Sequence, residues 1–245
     1  MLHVLAHVPV GRIAASCHEP RWIAYAEALL GPARDRPLAE DIAVLSLALA
    51  DHATLSAAHG VAWIWAEPSR ARAAAGRDLA ALGPGDVDDT TALALARSAG
   101  PCAEILRAAA ELEVTLVAKL APVAEAALDE LRIAIEAIVV AAPPGEALAV
   151  TVARPLVRRG RAFGRTIVTG APGIAGATAE HLAWQVLHEA SVRAAHRALG
   201  REASFEGIER RALDDLSARA RAAGLGVAHA RWLATLDLGD GGRPE

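Results

Sequence analysis

The hydrophobic and polar positions change character along the chain. In 181–200, HLAWQVLHEASVRAAHRALG, a helical pitch of about 100° per residue places His181, Gln185, His188, Glu189, Val192 and His196 in one narrow arc. Leu182, Trp184, Val186, Leu187 and several alanines fill the rest of the circumference. A surface helix has one apolar stripe and a polar remainder. Here the proportions are reversed, which predicts an interior helix whose imidazoles and carboxylate face a cavity or a buried network.

Upstream, the pattern is helical. Pro20 suits a first helical position, and Trp22–Leu30 keeps helical spacing until Gly31. Pro37 opens a long apolar stretch running to His59, and 68–82 reads as an alanine- and arginine-rich surface helix. Gly83-Pro84-Gly85 breaks the chain; Asp86 caps a helix over 87–99, with another over 101–112. Asp86, Asp88 and Asp89 resemble a metal cluster, but first-turn carboxylates follow from capping and the helix dipole.

Beyond residue 112 β-branched residues enter. Val114–Leu120 and Arg132–Val140 fit strand or buried helix alike. Pro143-Pro144-Gly145 marks a turn, and Ala147–Ala153 and Arg165–Thr169 predict strands joined by an arginine-rich connection. With no crossover helix between them, antiparallel pairing is the simplest arrangement. Charged, amphipathic 205–223 and short 227–236, which carries His229 and Trp232, predict two last helices before a frayed tail at 237–245. The expectation is one α+β domain over 1–236, mostly helical. Helices fill 18–112, a small antiparallel sheet lies in about 114–169, and the sheet packs near the buried His-rich helix of 177–199.

Composition narrows the function classes. Hydrophobic residues make up 53% of the 245. Much of that is alanine, which favours helix and buries little area per residue. Aromatics are 3%, so each of the five tryptophans matters to packing. Lys119 is the only lysine and arginine supplies the other positive charge, as codon bias in a GC-rich, bacterial-type genome would give. A net charge of −4 argues against nucleic-acid partners. Basic 154–165 lacks interleaved aromatics beyond Phe163 and reads as a solvated edge. Cys17 and Cys102 form neither a disulfide framework nor a CxxC pair, so a cytoplasmic, reducing setting is expected. Residues 1–17 lack the basic start of a signal peptide, and Asp51, His52 and His59 interrupt the apolar stretch 42–65, so no membrane association is expected.

Two motifs carry candidate chemistry. Thr169–Gly176, TGAPGIAG, is similar to the TGxxGxxG turn of short-chain dehydrogenase relatives, where backbone N–H groups approach a pyrophosphate. Fewer than eighty residues follow it, and no later strand ends in the acidic residue that would bind a ribose, so it reads as a flexible connection. His188-Glu189, on a helix that follows an edge strand and a loop, resembles the HExxH helix of zincin-type peptidases. There two histidines bind zinc and the glutamate activates water. This chain departs from that motif at Val192, where the second histidine would stand.

His181 and His188 are about 10.5 Å apart along the helix axis, too far for an easy shared ion. A metal site built on His181, His188 or His196 would therefore need completion from His52, His59, His229, Glu206 or Glu209. His52 and His59 repeat the seven-residue spacing of His181 and His188. The functional expectation is a metal-dependent, peptidase-like hydrolase, with Glu189 as general base, His188 as ligand or proton-transfer partner, and zinc or another divalent ion as cofactor. Its partner would be a peptide or small molecule. The alternative is a non-catalytic binding or assembly protein, with a protein partner or a second copy, in which the arc is a structural hydrogen-bond network.

Overall fold

The computed structural model describes residues 123–145, 148–163, 166–200 and 203–237, with the single positions Ala24 and Ala28. Apart from Ala24 and Ala28, the helices expected through 112, together with Val114–Leu120, His52 and His59, lie outside the described residues.

Helix α1, Glu125–Ile138, spans most of Arg132–Val140 and settles that stretch as helix. Leu131, Ile135 and Ile138 recur at helical spacing and turn inward, whereas Arg132 lies on the outside, paired with Asp129 and Glu136. A short 3-10 turn, Val139–Ala141, leads into the Pro143-Pro144-Gly145 turn.

Three strands follow: β1, Ala149–Val152; β2, Gly160–Phe163; and β3, Thr166–Thr169. Their order is β1-β3-β2. The two strands expected from sequence are adjacent, but they run parallel, with Val150 opposite Ile167 and Val152 opposite Thr169. This corrects the antiparallel expectation. The arginine-rich connection is more than a loop: it carries the chain across to the far side of β3 and supplies β2, which takes the antiparallel position with Ala162 opposite Ile167. β3, now central, buries Ile167 and Val168.

The crossing is tight. Val157 has φ +46°, a left-handed conformation that costs a β-branched residue about 1–3 kcal/mol. Gly170 lies against it, and a Cβ at Gly170 would sit 1.8 Å from the Val157 carbonyl oxygen. Only glycine fits there.

Helix α2, Ala179–Leu199, is capped by Thr178, whose hydroxyl accepts from His181 N, and it stops at Gly200. Every residue from Leu182 to Ser191 is buried. Its circumference is covered by α1, by β2 and β3, by α3 (Phe205–Ala222) and, more lightly, by α4 (Gly226–Asp237). Trp184, Val186 and Leu187 meet Ile167, Leu216 and Trp232 in the main core. Arg219 of α3 closes the seam by donating to the Ala141 carbonyl at 2.9 Å and the Ser191 hydroxyl at 2.7 Å. No described helix is long and apolar enough to cross a membrane.

Leu187→Ala should cost roughly 2–5 kcal/mol in denaturant unfolding, since Leu187 is wholly buried in a well-packed seam. Gly170→Ala should destabilise more than Gly173→Ala, because nothing lies within 4 Å of a Cβ at Gly173; the same titration compares the two.

Candidate functional site

Adjacent residues on a helix point about 100° apart, so His188 and Glu189 address different neighbours. Glu189 turns up to the sheet. Its Oε2 accepts from the backbone N–H of Ala162 in β2 at 3.1 Å, and its Oε1 accepts from Gln185 Nε2 at 3.0 Å. β2 comes this close because Gly160 has no side chain: a Cβ there would meet Gln185 Cγ at 3.0 Å and Glu189 Cγ at 3.1 Å. β2 lies at an edge of the described sheet, and Glu189 engages one of its backbone donors.

His188 turns toward α3. Its Nε2 lies 3.0 Å from Glu209 Oε2, a hydrogen-bond distance, and its Nδ1 lies 3.6 Å from Glu189 Oε1, an ion-pair distance. Burial opposes charge on the imidazole, but the Glu189 and Glu209 carboxylates more than offset it and push its pKa up to about 9. At neutral pH, His188 is an imidazolium held between two carboxylates of neighbouring helices.

The remaining arc residues face elsewhere. His181 Nε2 donates to the Arg158 carbonyl at 3.0 Å, and its Nδ1 lies 3.2 Å from the Thr235 hydroxyl of α4. His196 is exposed in the last turn. Val192, one turn beyond His188 where the peptidase helix has its second histidine, packs with Ala195, Ile208 and Ala212 between α2 and α3. Of the completing residues considered from sequence, Glu209 reaches His188, whereas Glu206 pairs with Arg210 on the surface. Among the described residues, therefore, the members of the expected arc serve different contacts.

Structural zinc takes four protein ligands, and catalytic zinc three plus water. Among the described residues no group of three His, Cys, Asp or Glu side chains is placed to hold a metal ion. His188 and Glu209 make two donors, so the described residues do not fit a zinc ion. Ser191 is also committed, donating to the Leu187 carbonyl at 2.8 Å while accepting from Arg219.

Sequence reasoning missed the ring cluster between α2 and α4. Trp232 lies 6.4 Å from Trp184 in a stacked arrangement, 5.8 Å from His188 and 5.5 Å from His229, centroid to centroid. Trp184 meets His229 edge-on at 5.0 Å. The available signal was the three-residue spacing of His229 and Trp232, which puts both rings on one face of a short helix.

No family model, curated protein or solved structure matches the chain.

The raised His188 pKa sets a pH dependence. Its contribution, on the order of 3 kcal/mol, is complete below the unfolded-state value near 6.5 and is lost as pH rises through about 9. Thermal denaturation from pH 7 to 10 should show that fall, and Glu209→Gln should reduce it.

Proposed function

We propose that the chain is a non-catalytic binding or assembly protein and that the Glu189–His188–Glu209 triad is its structural clamp. One observation carries this reading: both oxygens of Glu189 are engaged, one by the edge strand and one by Gln185. A general base needs a lone pair aimed at a reacting proton, and this carboxylate instead joins helix to sheet. The rest of the triad agrees. An imidazolium between two carboxylates has no free nitrogen lone pair to offer a metal or a proton donor, whereas it is well suited to hold α3 on α2. Burial completes the argument, because His188 and Glu189 are 8% and 6% exposed and a substrate would have to displace protein contacts to reach them.

Metal-dependent hydrolysis is the second reading, favoured by the placement of His188-Glu189 beneath edge strand β2 with Glu209 reaching in from the next helix. In that reading His52 or His59 would complete the ligands.

Metal analysis and melting of untagged protein separate the two. Under the clamp reading, Glu189→Gln and His188→Ala lower the melting temperature, and metal content stays substoichiometric and unchanged. Stoichiometric metal lost on His188→Ala would overturn it. So would a peptide-hydrolysing activity abolished by Glu189→Gln with melting intact.

A further inference from the structure

His229 has no part in the clamp, and its surroundings are unusual for an imidazole. It is 3% exposed and lies against Trp184 and Trp232, and its buried Nε2 has no hydrogen-bond partner. The neutral ring suits this apolar cage. A protonated ring would not, because a buried charge without an acceptor is among the costliest groups a fold can hold.

The charges around it add to that cost. The groups acting on His229 from the helices packed against α4 are His188 of α2 and Arg221 of α3, both positive. Glu209 of α3 is hydrogen-bonded to His188. Burial, and then the His188 and Arg221 cations, hold the His229 pKa below its ordinary value.

We infer that α4 is an acid-released latch: protonation of His229 expels it from the Trp184–Trp232 cage, undocks Gly226–Asp237, and uncovers the tryptophan face of α2 beside the His188 clamp. Among the described residues α4 docks lightly on α2: apart from His229 and Trp232, it reaches the core through the partly buried Ala228, Leu233 and Leu236 and through the Thr235–His181 contact, and it also lies along α3. β3 and the centre of α2 are held by the sheet, α1 and α3, so they have no reason to open with it.

The sign follows from linkage. A histidine whose folded pKa is depressed contributes stability that is present above the unfolded value near 6.5 and is lost as pH falls below it. The direction is opposite to that of His188, so the two histidines respond at opposite ends of the pH range. The inference rests on the clamp reading only in taking His188 as a cation. Failure of that reading would show as a missing alkaline transition, which the measurement below does not use.

The test is hydrogen exchange of the full chain at pH 7.5 and 5.5, with times scaled for the intrinsic pH dependence of exchange. One pH unit below 6.5, coupling to a single proton raises the opening equilibrium by up to about tenfold. Peptides covering 226–237 should therefore exchange several-fold to about tenfold faster at pH 5.5, while those covering 166–169 and 182–191 hold. His229→Gln removes the titration, and His229→Phe fills the cage with an apolar ring; whichever variant folds should show no acid response in α4. Equal scaled exchange of 226–237 at the two pH values overturns the latch. So does an acid response that persists in either folded variant, or one that spreads equally through β3 and α2.

Discussion

A helix buried on every side is under pressure to pair the polar groups it carries, since an unpaired buried polar group costs several kcal/mol. Helix α2 is under that constraint along the whole of Leu182–Ser191, and much of the surrounding structure is its solution. Gln185 and Glu189 are satisfied by each other and by β2, the Nε2 of His188 by Glu209, and Ser191 by Leu187 and Arg219, while Trp184 Nε1 and His188 Nδ1 make no hydrogen bond. Each of these bonds is also a tie between elements. The polar residues that make α2 look chemically active in sequence are therefore those that locate the edge strand, α3 and the Val139–Ala141 turn around it.

This explains which features were legible from sequence. The inversion of the usual apolar stripe fixed α2 as an interior helix, because it depends only on helical pitch and side-chain type. The expected ends at residue 199 and over 205–223 likewise fall close to the observed helix bounds, since capping is a local matter. Strand pairing is not local. Ala147–Ala153 and Arg165–Thr169 were recognisable as strands, but their relative direction depends on whether the residues between them form a loop or a third strand. GRAF, at 160–163, carries no strand periodicity strong enough to decide it. The aromatic cluster was hidden for the same reason: rings more than forty residues apart, on two different helices, had to be brought together.

The site separates spacing along the chain from direction in space. Glu189 and His188 are neighbours in sequence, yet one meets the sheet and the other meets α3. Reading them as a catalytic pair assumes that both face one reacting atom. A zinc-peptidase helix achieves this by placing the second histidine one turn on, so that both imidazoles face the same side and define where the metal, and hence the water, must be. Val192 removes that reference point. It packs instead against Ile208 and Ala212, bringing α3 close at the level from which Glu209 reaches His188. With a valine there, helix packing and the carboxylate that neutralises His188 come from the same contact. Exchange of one side chain for histidine would therefore have to undo the α2–α3 seam before it could restore a metal ligand.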